Sequence, residues 1–243
     1  MERELSPSSV KSTYGILRGI WRTAKAWGKV AHDPFPKGGI ELPDIAPTKR
    51  QAFTPEEIQR MIEAAAEPDK TLFWLLAEIG PRIGEVLALK VEDIDFANGL
   101  VVIDENFVVG QLGTPKTVNG YRNPVLSQEL AAHLHQRYGG ASGYLFPGRN
   151  GLPIGYASTL ERLHRLLDRL GIERRGFHCF RYANGTQAVA AGADVKTLHI
   201  RLGHADPGLT LRLYARKVSA GERALAAKLG AVFAPKLHPT PVA

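Results

Sequence analysis

A chain of 243 residues, 44% hydrophobic and 23% charged, has the composition of a folded protein and the length for one main core with a smaller appendage, which excludes an intrinsically disordered class. Its formal net charge of +7 favours a polyanionic partner, nucleic acid ahead of anionic membrane. The single cysteine, Cys179, rules out an intrachain disulfide framework and a cysteine-rich zinc site and suits a reducing cytoplasm, while no apolar run approaches the length of a membrane span.

The first residues, MERELSPSSVKS, lack the apolar core of a signal peptide. From Pro7 to Val30 the spacing predicts a helix. Val10, Tyr14, Leu17, Ile20, Trp21, Ala24 and Trp27 recur on one side, with Lys11, Arg18, Arg22, Lys25 and Lys29 on or beside the polar face. The stretch HDPFPKGGIELPDIAPTKR is rich in proline and glycine and reads as a linker. A lone helix of this size cannot bury a core, so it either docks on something or ends a domain whose start is missing.

The main domain opens at FTPEEIQRMIEAAAE. Thr54 can cap the helix, Pro55 suits its first turn and Glu57 completes a Thr-x-x-Glu capping box. TLFWLLAEIG reads as a buried helix, followed by a shorter one around Arg82–Leu89. VEDIDFANGLVVIDENFVVG reads as short strands with Asn98-Gly99 as a hairpin turn. GTPKTVNGYRNPVL reads as a second turn and a strand containing Arg122 and Val125. Helical patterns follow over about 127–137, 155–170, 178–191, 194–202, 207–216 and 219–230. The proline-rich tail APKLHPTPVA is expected to fray. The expected fold class is mainly α with a small antiparallel β-sheet, an α+β domain.

Several residues carry chemistry, each with an ordinary alternative when taken alone. Arg82 and Glu85 share a helical face, so the carboxylate can hold the guanidinium fork, or the two form a plain surface pair. Lys116 sits at a turn between strands, either solvated or able to reach into a site from above. In HCFRY, His178 and Arg181 are three apart on one helical face, where they can bind a phosphate and move a proton. Cys179 lies one step round from that face. In LHIRLGHADPGLTLRLYARK, Gly203 can stop one helix and Asp206-Pro207 start the next, which holds His204 on an elbow. Tyr214 lies two turns into the following helix, flanked by Arg212 and Arg216. His133 and His135 are two apart, on different faces of a helix and without an acidic cluster, so no metal site is indicated. No glycine-rich phosphate loop indicates a nucleotide cofactor.

The order of these features, in the segments RIGEVLALKVEDID, PKT with YRNPVL, HCFRY, LGHADP and LYARK, resembles the tyrosine recombinase family of phage integrases and chromosome-dimer resolvases. The resemblance covers roughly residues 53–230. It implies the family's catalytic-domain fold over 46–235, a C-terminal remnant of a helical core-binding clamp domain plus linker over 1–45, and a frayed tail over 236–243. It further implies site-specific cleavage and rejoining of double-stranded DNA through a 3′-phosphotyrosine, with Tyr214 as nucleophile. By resemblance Arg82 and Arg181 clamp the scissile phosphate and His204 adds a hydrogen bond. Lys116 protonates the leaving 5′-oxygen, His178 positions or deprotonates the tyrosine, and Glu85 supports the pocket from behind. Neither metal nor ATP is required, because cationic side chains neutralise the phosphate and the phosphotyrosine ester keeps the bond energy.

The resemblance also implies a tetramer on DNA, a monomer or weak oligomer when free, and a bacterial cytoplasmic, nucleoid-associated location. The departures from the family pattern are Tyr182 where a second histidine is frequent, Pro81 before the first arginine, and Ala215-Arg216 after the tyrosine. The clamp segment is short for the family, through truncation or as a natural short form. Alternative readings are a catalytically weak or inactive DNA-binding remnant of a mobile-element integrase and, behind it, a type IB topoisomerase.

Overall fold

The computed structural model of the protein describes residues 5–36, 39–44, 51–114 and 121–203. The chain divides into two compact units, Met1–Arg50 and Gln51–Ala243.

In the first unit, α1 spans Pro7–Ala26, capped by Ser6, whose hydroxyl accepts the Ser9 N–H at 3.2 Å. It ends short of the expected Val30 because Gly28 turns left-handed at φ 68°. The segment after it folds back on the helix. Trp21 Nε1 donates to the His32 carbonyl at 3.1 Å, and Phe35 meets Tyr14 edge-on at 5.6 Å. None of the residues of α1 is buried; Ile16, Leu17, Ile20 and Trp27 are exposed.

The second unit is built around one core. The expected capping box opens α2, Pro55–Ala64: Glu57 N–H donates to Thr54 Oγ1 and Thr54 N–H to the Glu57 carboxylate. The buried helix α3, Asp69–Ile79, places Leu72, Phe73, Leu75, Leu76 and Ile79 inside and closes at left-handed Gly80. The short α4, Ile83–Ala88, is almost wholly buried. Strands β1, Ile94–Asp95, and β2, Leu100–Val101, pair antiparallel around Gly99 at φ 63°, with the Asp95 carboxylate accepting the N–H groups of Ala97 and Asn98. The strand expected through Arg122 joins them by single pairings, Leu100 with Val125 and Ile103 with Arg122.

One small sheet was the expectation, and the fold differs here. Residues within FVVGQLG form a separate hairpin, β3 (Asn106–Val108) with β4 (Gln111–Gly113), around a left-handed Val109-Gly110 turn. Its root is fixed because Phe107 is buried and Asn106 abuts Gly84: a Cβ at Gly84 would lie 2.2 Å from Asn106 Oδ1 and 2.7 Å from the Phe107 carbonyl oxygen.

Four helices follow close to their expected bounds: α5 (Gln128–Tyr138), α6 (Tyr156–Leu170), α7 (His178–Ala190) and α8 (Val195–Leu202). Ser127 and Asp194 cap α5 and α8, and left-handed Gly171 and Gly203 end α6 and α8. Phe180 of α7 packs between Phe53 at 4.9 Å and Phe73 at 5.7 Å between ring centroids, which anchors α7 to the core. Leu198 and Leu202 of α8 pack on Ala188 and Val189 of α7. The helices expected at 207–216 and 219–230 and the tail lie outside the described residues.

Candidate active site

The C-terminal ends of α3 and α8 meet beside α7. A Cβ at Gly80 would lie 2.7 Å from Asn184 Oδ1 and 2.9 Å from Leu202 Cδ2, so only glycine fits between the three helices. Helix C-termini leave unpaired carbonyls and carry partial negative charge, which draws cationic and amide donors. At the end of α3, Asn184 Nδ2 donates to the carbonyls of Ala77 (2.9 Å) and Glu78 (2.7 Å), Arg201 Nη2 to Glu78 (2.7 Å), and Arg181 Nη1 to Gly80 (2.8 Å). At the end of α8, three successive carbonyls each accept from a different arginine. Arg122 Nε bonds Arg201 at 2.9 Å, Arg181 Nη2 bonds Leu202, and Arg82 Nη2 bonds Gly203 at 3.2 Å. Arg181 therefore ties both helix ends together, and its residue is 4% exposed.

Glu85 stands at the centre of this group of cations. One carboxylate oxygen takes Arg82 Nη1 at 2.8 Å; the other takes Arg122 Nη2 at 2.6 Å and the Arg82 backbone N–H at 2.8 Å. Burial alone would push its carboxyl up. The bond and charge of Arg122, with the backbone N–H and guanidinium of Arg82, outweigh that and hold it below its ordinary value. The expected Arg82–Glu85 pairing is thus more than a surface ion pair: the Glu85 side chain is 2% exposed and that of Arg82 is 47% exposed. Burial lowers the Arg201 guanidinium from its ordinary value, opposed by the charge of Glu78; arginine stays charged regardless.

His178 opens α7 and is exposed, one turn before Arg181. Tyr182, half-buried, follows Arg181, and its ring lies 6.3 Å from that of His178. Cys179 is half-buried and packs against the core. Burial pushes its thiol up, against the Arg175 charge and the Gly176 backbone bond, so the nucleophilic thiolate is disfavoured. Lys116, His204 and Tyr214 lie outside the described residues, and Gly203, immediately before His204, is the last described position. His133 bonds Thr71 and Glu67, while His135 packs on Phe96. Among the described residues no group of three or more His, Cys, Asp or Glu is placed to hold a metal, and no helix is long and apolar enough to cross a membrane.

The profile of the phage integrase family matches residues 51–220. The chain belongs to that family. A tyrosine recombinase XerC-like protein of Caldanaerobacter subterraneus is 26% identical, the match covering 86% of this chain and 62% of that protein. Transposase A of transposon Tn554 from Staphylococcus aureus is 31% identical over 65% of this chain and 46% of its own length. The chain thus spans between about half and two thirds of the curated relatives it matches. The Tn1549 transposon integrase, solved with a circular intermediate DNA, superposes with a TM-score of 0.74 at 20% identity, covering 93% of this chain and 80% of that one. The XerA recombinase gives 0.56 at 20% identity, covering 81% and 68%. At such identity these structures share the fold with this integrase-family chain.

For a phage integrase-family member, this arrangement supplies two things. Arg82 is held in a fixed pose against the end of α8 with its side chain part-exposed, where it can neutralise an anion without reorganising. The backbone entering His204 is held by Arg82, Arg122 and Arg181 at once. The structure adds three residues to the set read from the sequence: Arg122, Asn184 and Arg201. Arg122 had a legible signal. Tyr121, Asn123 and Val125 are exposed while Arg122, Pro124 and Leu126 are buried, a period-2 alternation that turns the arginine inward. Asn184 and Arg201 carried no comparable signal, because their role is to satisfy helix-end carbonyls that only the folded chain brings near.

Proposed function

We propose that this chain cleaves and rejoins double-stranded DNA at specific sites through a covalent 3′-phosphotyrosine. The observation that carries the reading is the meeting of Arg82, at the cap of α4, and Arg181, of α7, on the adjacent carbonyls of Gly203 and Leu202 that lead into His204. The relatives include recombinases, a transposase and an integrase solved with DNA, which supports a DNA phosphodiester as the substrate.

In this reading Arg82, Arg181 and His204 neutralise the non-bridging oxygens of the scissile phosphate. Tyr214 Oη attacks phosphorus and passes its proton to His178. The bond to the 5′-oxygen breaks, and that oxygen takes a proton from Lys116. Glu85 orients Arg82 from behind. Rejoining reverses the step: a 5′-hydroxyl attacks the phosphotyrosine and tyrosine leaves. The protein works in the cytoplasm, is a monomer or weak oligomer when free and forms a tetramer on two duplexes. Residues 1–45 are a helical core-binding segment plus linker that contacts the DNA, with the catalytic domain over 46–235 and a tail over 236–243.

The test is incubation with nicked suicide duplexes of randomised sequence, followed by a denaturing gel. A covalent protein–DNA adduct is expected, lost in Tyr214→Phe and retained in Cys179→Ser. An adduct that survives Tyr214→Phe refutes the assignment. Affinity for duplex DNA should fall steeply with salt as lysine and arginine contacts are screened; binding of that kind with no adduct from the unaltered chain would favour a non-catalytic DNA-binding protein instead.

A further inference from the structure

We propose that Arg122 is a positioning residue for the phosphate site, an inference that rests on the strand-transfer reading above. Its guanidinium closes a ring of hydrogen bonds. Arg122 Nε donates to the Arg201 carbonyl and Arg122 Nη2 to Glu85. Arg82 Nη1 donates to the other Glu85 oxygen and Arg82 Nη2 to the Gly203 carbonyl, two residues on from Arg201. The ring joins the strand through Arg122, the start of α4 and the end of α8. Each bond limits the freedom of the next, so Arg82 and the backbone before His204 hold one relative pose.

The two arginines divide the work by exposure. The Arg82 side chain is 47% exposed and can face a ligand, whereas the Arg122 side chain is 2% exposed and faces protein. Arg122 therefore acts through its neighbours. Burying an ion pair is no cheaper for stability than burying well-packed apolar side chains, and Pro124 and Leu126 on the same strand face show what that face otherwise holds. The planar fork explains why arginine stands here: it spans a carboxylate and a carbonyl at fixed angles, which a lysine ammonium cannot do.

Three variants of the full chain test this: Arg122→Lys, Arg122→Met, and the double variant Glu85→Gln with Arg122→Met, which removes both buried charges together. Single-turnover cleavage of the suicide duplex, equilibrium DNA affinity, and hydrogen exchange over residues 195–203 are measured for each. Arg122→Lys should fold, bind DNA with unchanged affinity, cleave about a hundredfold more slowly, as expected for a displaced catalytic group, and exchange faster at the end of α8. The double variant should recover the thermal stability lost in Arg122→Met without recovering cleavage. Cleavage by Arg122→Lys at the unaltered rate overturns the proposal, as does a double variant whose cleavage returns with its stability. Absence of an adduct from the unaltered chain is a different failure: it overturns the strand-transfer reading, and this inference with it.

Discussion

Glu85 is the single buried carboxylate among the described residues, and its two arginine partners make it a titration handle on the site. Because its folded-state pKa lies below the ordinary 4.5, the unfolded chain takes up the proton first as the pH falls. The stability this group contributes is complete above its ordinary value and is lost as the pH drops through the lower folded value. Glu85→Gln should lower unfolding free energy at neutral pH by about 3 kcal/mol, since it leaves Arg122 buried beside a neutral partner. Below pH 4.5 its stability should also vary less steeply with pH than that of the unaltered chain, measured by urea unfolding across the acid range. Parallel pH profiles for the two proteins would remove Glu85 from the account. At this scale the sequence conveyed the pair at Arg82 and Glu85 through their spacing, and it conveyed Arg122 only as a strand residue. The difference is physical. Arg82 turns out to be the extended residue that caps α4, and a spacing of three from cap to first turn fixes a neighbour locally, whereas Glu85 and Arg122 meet across a loop of the chain that no local pattern encodes.

Helices with local end signals were legible close to their true limits. Thr54, Pro55 and Glu57 mark the start of α2, Ser127 and Asp194 the starts of α5 and α8, and Gly203 the end of α8. The β3–β4 hairpin was not legible as a separate unit, because what fixes it is the contact of Asn106 and Phe107 with Gly84 of α4 rather than any turn signal. Gly80 shows the same limit: it closes α3 in a left-handed turn, and its second duty, giving room to Asn184 and Leu202, belongs to the packing of three helices. Gly80→Ala meets both a left-handed backbone at φ 63° and a contact at 2.7 Å. It should destabilise the chain by about 1–3 kcal/mol, read by thermal unfolding. The loss of cleavage rate should be greater than the loss of folded fraction, because the displaced side chains are those beside Arg181. A variant with unaltered stability would mean that α3, α7 and α8 do not meet as closely as described.

At the scale of the molecule, the hydrophobic core of the described residues lies within Gln51–Ala243. The three bonds to the end of α8 come from arginines 121, 79 and 21 positions away along the chain. Closing such loops costs entropy before any contact returns it, so long-separation contacts form late. The arginine cluster at the end of α8 is therefore a reporter of completed folding rather than a local motif that can form early. A chain paused part-way, with its helices formed but the Arg122 strand undocked, carries the right residues without the ring of bonds that fixes Arg82 against the end of α8. On dilution from denaturant, cleavage competence should return with the slowest phase seen in Trp74 fluorescence of a Trp21→Phe, Trp27→Phe chain, after most helical signal is back; recovery together with the earliest helical signal would show that the site assembles without its distant partners. If the chain breaks DNA as proposed, this ordering keeps an unfinished chain from cutting.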